Sequence, residues 1–325
     1  MILVIINSNQ NLTITDKVTV QTNGIFTINN SASLIQINNI LNSGNIIYKR
    51  ESPNIRTLDY SYWSSPVAGF NVNNIVSPYT FGPIYKWNTI IPNSNAGWGG
   101  WQNAAGNIMI AGKGYIARAP GAAPFNNTTY NVLSGSFTGV PNNGNITIPI
   151  ERGPDQNTAN HYGTNGMQIT NYSDNWNLLG NPYPSAIRAS QFLFDNRTKI
   201  EGNVRLWTHG TLPSVIQPNP FYDTFISNYS PGDYYQYNFS GTSCCPTAAS
   251  DLFIGAAQGF FVQMIDGPPV AAVDNNTVAF TNSLRNASFS NSTFYRTQNT
   301  TTTTLVDVNN IERNRIWLDF INSTN

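Results

Sequence analysis

The chain has 325 residues, with 16 basic and 16 acidic side chains, so its formal net charge is zero. Charged residues make up 10% of it, against about 25% in ordinary soluble domains, and they form no basic cluster for nucleic acid. No apolar run approaches the ~18 residues of a membrane-spanning helix. The composition therefore predicts neither a nucleic-acid partner nor a membrane-spanning segment. Abundant Thr, Tyr, Phe, Val and Ile, with Asn, Gly and Pro, favour short strands and turns, which predicts an all-β fold.

Residues 1–50 are predicted to form a short β-solenoid-like segment. Apolar residues alternate there in short groups separated by Asn-rich steps, at 12–14, 18–20, 26–28 and 34–37. Such groups fit successive faces of parallel solenoid rungs, and an ordinary meander is the alternative. Because a rung cannot bury its own end, we expect further rungs before residue 1.

A longer pattern occurs twice after the solenoid-like segment. Each copy has a polar-Pro turn, a Trp-bearing strand and then a Gly-aromatic step. These landmarks are Ser65-Pro66, Trp87 and Gly114 in the first copy, and Asn181-Pro182, Trp207 and Gly259 in the second. The order predicts two related β-sandwich-like halves, or one large sandwich built from both, whose core strands superpose with the same strand order.

The predicted boundaries place the first sandwich-like repeat at 51–170 and the second at 171–298. Residues 299–325 are interpreted as a linker and the first strand of a following domain. The one short helix is expected within 185–194. Since both ends of the chain would lack strand partners, residues 1–20 and 300–325 are expected to fray or associate.

The residues that could carry chemistry are few and scattered. The only histidines are His161 and His209, and the only cysteines are Cys244 and Cys245, which are adjacent. This set lacks the ligands of a zinc site, a nucleophile elbow and a phosphate-binding loop. We therefore predict that the chain is not an enzyme and has no cofactor or metal, although calcium held by loop oxygens stays open.

Exposed aromatic side chains could stack against sugars, as in carbohydrate-binding modules. Two sets of candidates stand out, namely Trp98 and Trp101 in a Gly-rich loop, and Tyr234, Tyr235 and Tyr237 in a Tyr-rich stretch. The alternative is that these rings fill the interior of the sandwich. Four other tryptophans, at 63, 87, 176 and 207, are expected to be mostly buried at the start or middle of strands.

Two blocks resemble a family of large secreted surface proteins of the Bacteroidetes. Residues 176–187 read WNLLGNPYPSAI, and residues 60–67 read YSYWSSPV. That family is exported by the type IX secretion system, and many members carry adhesin-like repeats. The motif residues in this chain are Trp63, Pro66, Gly114, Trp176, Gly180, Asn181, Pro182, Pro184 and Gly259.

The resemblance implies an exported piece of a longer protein and brings no catalytic residues with it. The motif is rich in Gly and Pro, which points to structure: proline fixes φ and Gly180 permits a tight approach. We expect a non-catalytic extracellular module, adhesive or structural, that engages the type IX machinery during export and other surface proteins or glycans afterwards. The alternative is a carbohydrate-binding module of an extracellular polysaccharide-processing protein.

Overall fold

The computed structural model describes residues 2–92, 98–154, 161–162, 168–169, 174–208, 233–238, 241–242, 251–266 and 273–294. The predicted linker and strand at 299–325 therefore lie outside the described residues, as do Cys244, Cys245 and His209. Within the described ranges the chain is nearly all β, which confirms the predicted fold class. No helix in that part is long and apolar enough to cross a membrane.

The described strands are numbered in chain order. They are β1 Ile2–Ile6, β2 Asn11–Ile14, β3 Gly24–Ile28, β4 Ser33–Gln36, β5 Ile46–Ile55, β6 Tyr60–Trp63, β7 Ile84–Pro92, β8 Trp98–Asn103, β9 Tyr115–Arg118, β10 Asn131–Gly139, β11 Ile146–Arg152, β12 His161–Tyr162, β13 Gln168–Ile169, β14 Trp176–Gly180, β15 Ile187–Arg188, β16 Asn203–Trp207, β17 Tyr234–Asn238, β18 Gly241–Thr242, β19 Phe253–Ile254, β20 Gly259–Gln263 and β21 Asp274–Phe280.

The helices are short. Helix α1 spans Ala189–Asp195, beginning four residues after the start expected from the sequence, and it buries Ala189, Phe192 and Leu193. Single 3-10 turns occur at Val72–Asn74 and Asn282–Leu284.

The N-terminal segment is a parallel β-solenoid. β1, β3 and β5 stack in parallel on one face, and β2 and β4 stack in parallel on the next. Ile2 pairs with Gly24, and Asn11 pairs with Ser33, so the first two rungs are 22 residues apart in sequence. The groups predicted at 12–14 and 26–28 lie in strands, and the group predicted at 34–37 does so as far as Gln36. The group predicted at 18–20 is not a strand, since Thr19 makes only an isolated bridge to Ser43. β1 was not predicted because its apolar residues are continuous and show no period.

The turns of the two rungs match as well as their strands. The Gln10 amide donates to the carbonyl of Asn7, and the Ala32 amide donates to that of Asn29, both at 3.0 Å. One residue before each donor the backbone is left-handed, with φ of 64° at Asn9 and 66° at Ser31. The rungs therefore have one shape, although their side chains differ.

The two ends of the solenoid differ. β5 pairs with β3 through one edge and antiparallel with β10 through the other, which covers that end. β5 also runs across residue 50, so it belongs to both the solenoid and the first repeat. Solenoid and repeat share a single apolar core cluster, which includes Ile28, Tyr48 and Trp63.

The two repeats have the same strand order. The first sheet runs β6-β9-β7-β8, and the second runs β14-β20-β16-β17-β18. Neighbouring strands are antiparallel in both sheets, and β18 is the addition in the second. This agreement is what the predicted duplication requires.

Candidate functional site at the contact between the repeats

The two repeats exchange backbone hydrogen bonds reciprocally. The Ser64 amide, just after β6, donates to the carbonyl of Ala257 at 2.8 Å. The Gly180 amide, at the end of β14, donates to the carbonyl of Gly112 at 2.9 Å. Bridges at Trp63–Gln258 and Lys113–Leu179 flank these bonds. We call segments 62–65, 112–114, 178–181 and 257–259 the interlock, because each repeat completes the strand edge of the other.

The landmark glycines permit the backbones to approach closely in the interlock. A Cβ on Gly114 would lie 2.4 Å from the carbonyl oxygen of Leu179, and one on Gly180 would lie 2.3 Å from the Cβ of Ser64. A Cβ on Gly259 would lie 3.0 Å from the Cβ of Tyr62. The separations at Gly114 and Gly180 are too short for any side chain, so glycine is required at these two positions.

Asn181 is a fully buried amide whose hydrogen bonds hold the second repeat together. Its Nδ2 donates to the carbonyls of Ser185 at 2.8 Å and Ile254 at 3.0 Å, and its Oδ1 accepts from the Tyr183 amide at 3.0 Å. The Tyr183 hydroxyl donates to the carbonyl of Gly144 at 2.6 Å, and burial raises the pKa of Tyr183. A buried amide with every bond made is a structural element rather than a free ligand group.

The prolines of the motif join regions that are distant in sequence. Asn142 donates through its side chain to the carbonyls of Ser65 at 3.1 Å and Pro182 at 2.9 Å, which links the two polar-Pro turns. Its backbone amide donates to Pro66 at 3.0 Å. The carbonyl of Pro184 accepts from the Leu34 amide at 2.8 Å, which attaches the solenoid to the second repeat.

Aromatic side chains fill the space between the two sheets. The buried members of this aromatic cluster pack with half-buried rings and with two aliphatic side chains. The cluster consists of Tyr62, Trp87, Ile116, Leu178, Trp207 and Phe261, with Tyr60, Tyr85, Trp101, Trp176 and Tyr234 packed against it. Phe261 alone contacts five of the other rings, among them Trp87 at 5.6 Å between centroids.

The four tryptophans expected in the core differ in position. Trp63 is 0% exposed and packs on Phe294 at 4.7 Å, and Trp87 and Trp207 are also buried. Trp176 is half-buried. The expectation that all four begin or occupy the middle of strands is wrong for Trp63 and Trp207, which end β6 and β16.

Two of the candidate stacking residues lie in the aromatic cluster. Trp101 is 5.0 Å from Trp87, and Tyr234 is 4.9 Å from Trp207. The Tyr234 hydroxyl is 2.7 Å from that of Tyr62. Burial raises the pKa of Tyr234 to about 12, although the bond to Tyr62 and the nearby Arg205 act to lower it.

The other three candidates occupy separate places. Trp98 is half-buried and its ring lies over Gly153, where a Cβ would come within 2.5 Å of it. Tyr235 is half-buried against the core cluster of the second repeat, and Tyr237 is 5% exposed within that cluster. The five side chains therefore do not share one exposed face: Trp101 and Tyr234 meet the same two rings, Tyr62 and Phe261.

Ionisable groups serve contacts between segments. Arg152 is buried and pairs with Asp266 at 2.6 Å and Asp274 at 3.2 Å. Asp251 pairs with Arg188 and accepts from Ser190 at 2.7 Å. Within the described ranges, no three His, Cys, Asp or Glu side chains are grouped so as to hold a metal ion.

Sequence reasoning missed the buried arginines, of which Arg50 and Arg285 donate to backbone carbonyls. Arg50 is 1% exposed and donates to the carbonyls of Asn291 at 2.5 Å and Thr293 at 2.7 Å. Arg285 lies 4.2 Å over the Tyr183 ring and donates to Gln36 at 3.1 Å. Burial lowers the pKa of Arg285 to about 10, against the opposing effect of Tyr183. Their carbonyl partners lie 241 and 249 positions away in the chain, so no local sequence pattern marked these arginines as buried.

The fold defines an all-β protein in which a parallel solenoid leads into two interlocked antiparallel sheets. A family model described as a domain of unknown function (DUF8693) matches residues 3–325, so the chain belongs to that family. No curated protein and no solved structure matches the chain.

Proposed function

We propose that the chain is a non-catalytic extracellular module, adhesive or structural, within a protein exported by type IX machinery. The observation that carries this proposal is the use of the motif residues. Gly114 and Gly180 permit close backbone contact in the interlock, and Asn181 holds segments of the second repeat together. Pro182 and Pro184 accept hydrogen bonds from other segments. Because the motif residues have structural roles, they support a rigid module that acts through its exposed surface.

The uncharged composition supports the same role. With a net charge of zero and 10% charged residues, the surface is rich in Asn, Thr and Ser, whose side chains form hydrogen bonds without electrostatic steering. Asn side chains bond to each other or to carbonyls across the loops, as in Asn143 with Asn38 at 2.9 Å. Such a surface suits an extracellular contact that is insensitive to salt.

Export is tested in a Bacteroidetes host that carries the complete coding sequence with an epitope tag. The proposal expects the tag to be accessible on intact cells, and to be retained inside when the type IX translocon is deleted. A matched strain expressing a cytoplasmic protein with the same tag controls for lysis. Equal surface labelling with and without the translocon contradicts the export route.

The carbohydrate-binding alternative is tested with a glycan array and two variants. Trp98→Ala removes the half-buried ring at the edge of the first sheet, whereas Leu41→Ala removes an 85% exposed aliphatic side chain as a control. The proposed module binds no glycan through Trp98. Binding that is lost in Trp98→Ala and kept in Leu41→Ala favours the carbohydrate-binding role instead.

A further inference from the structure

The first rung of the solenoid, residues 2–23, has open edges. β1 pairs with β3 and β2 with β4, and no other described strand pairs with β1 or β2. Val4 is 42% exposed, whereas Phe26, its partner in the parallel ladder, is 7% exposed. Ile2 is 74% exposed, although it occupies the same side of the strand as Val4. We call this segment the open rung.

Within the part of the chain that the structure describes, β1 lacks the features that protect edge strands. Natural edges are shielded by charged side chains, proline, bulges or a covering loop. The sequence of β1 is ILVII, without charge or proline, and it pairs with β3 over all five residues without a bulge. Such an edge is a template for another strand.

Two hollows open beside the open rung. One, of about 540 Å³, lies between β1 and β2 and is lined by Val4 and Leu12 among others. The second, of about 340 Å³, is lined by Ile2, Val20 and Phe26 among others. Neither lining contains a charged side chain, and both combine apolar residues with Asn and Gln, so a matching partner is uncharged at these positions.

The contact between the first two rungs shows which partner fits. The second rung covers the first by parallel pairing at a spacing of 22 residues, with Val4 opposite Phe26, Ile6 opposite Ile28 and Leu12 opposite Leu34. The same geometry, repeated outward, would cover Ile2 and Val4 and occupy both edges. A second copy of this chain cannot supply that rung from its opposite solenoid end, because β10 covers β5 there.

We propose that the open rung binds a further parallel β-solenoid rung of 22-residue spacing, which pairs with the free edges of β1 and β2. The partner is a strand-turn-strand segment with apolar residues at its interior positions. The inference holds whether or not the protein is exported by type IX machinery, because it depends on strand edges and side-chain stacking alone.

The experiment adds a rung to the full chain. A second copy of residues 2–23 is inserted directly before Ile2, so that every added residue lies 22 positions before its counterpart. Hydrogen exchange of the original β1 amides is compared with that of the unmodified chain. The expected result is slower β1 exchange by about tenfold or more, with β20 amides serving as the folding control.

Two control insertions separate pairing from added length. One carries Lys at the added positions that correspond to Val4 and Ile6, which places charges in the interior stack. The other has one extra residue before Ile2, so that its apolar residues face the wrong side. Both are expected to leave β1 exchange unchanged.

Two results would overturn the inference. One is unchanged β1 exchange in the in-register insertion while β20 stays protected. The other is an unmodified chain that sediments as a dimer with β1 already protected, because a second copy paired head to head is then the occupant.

Discussion

The interlock and the open rung both contain apolar strands, and they differ in whether the edges of those strands are paired. In the interlock, the ends of β6 and β14 pair with segments of the other repeat, and the aromatic cluster packs beside them. In the open rung, an equally apolar strand meets a partner through one edge. Backbone pairing and apolar burial together stabilise a strand. We therefore expect the interlock to open only when the whole protein unfolds, and the open rung to open locally.

The difference shows how stability and availability are divided in this chain. The glycines of the interlock permit a backbone contact that no side chain could accommodate, so the segments of that region pack in one specific arrangement. The open rung has no such specific partner within the described residues, and any rung of matching shape can cover its interior positions. A region that binds is drawn from the less stable part of a fold.

The largest loss of stability is expected from a substitution of Trp63, which belongs both to the core cluster shared by the solenoid and the first repeat and to the interlock. Trp63→Ala should lower the free energy of unfolding by about 3–5 kcal/mol, because a fully buried ring is lost and a cavity remains. Leu41→Ala, at an 85% exposed position, should change it by less than about 0.5 kcal/mol. Denaturant unfolding measures both, and equal values would remove the basis for calling the interlock the stable region.

Two isoleucines in the solenoid compare the rungs directly. Ile28 is 0% exposed in the second rung, and Ile2 is 74% exposed in the open rung. Ile28→Ala should cost about 2–5 kcal/mol, whereas Ile2→Ala should cost less than about 0.5 kcal/mol. Thermal unfolding reports the difference, and a comparable cost at Ile2 would mean that the open rung is covered.

Gly114 tests the close approach in the interlock. Gly114→Ala should cost about 1–3 kcal/mol, because its Cβ would clash with the Leu179 carbonyl and the backbones must separate. Gly121→Ala is the matched control, since a Cβ there meets nothing within 4 Å. A neutral Gly114→Ala in urea unfolding would show that the repeats are not in backbone contact at this point.

Sequence patterns predicted the local structure better than the contacts between distant segments. Alternating apolar groups predicted the solenoid, and repeated Trp and Gly landmarks predicted a duplication whose strand order the structure reproduces. β1 was missed because five consecutive apolar residues carry no period. The expected boundary at residue 50 overlooked β5, which continues across it to pair with β10.

The interlock itself could not be predicted. Gly180 and Pro182 indicated a tight turn, but their sequence says nothing of which distant strand lies beside them. The packing of the candidate rings could not be predicted either. In the sequence, Trp101 and Tyr234 resemble surface residues of polar loops, and only the contact between the two sheets places them against the aromatic cluster. Long-range pairing decides both features, and a local pattern does not encode it.

Native-state hydrogen exchange on the unmodified monomer tests the central contrast most directly. The account predicts that amides of β14 and β20 exchange only through global unfolding, whereas amides of β1 and β2 exchange through local opening at a much lower free energy. Protection in β1 and β2 equal to that of β14 and β20, in a chain that sediments as a monomer, would contradict it.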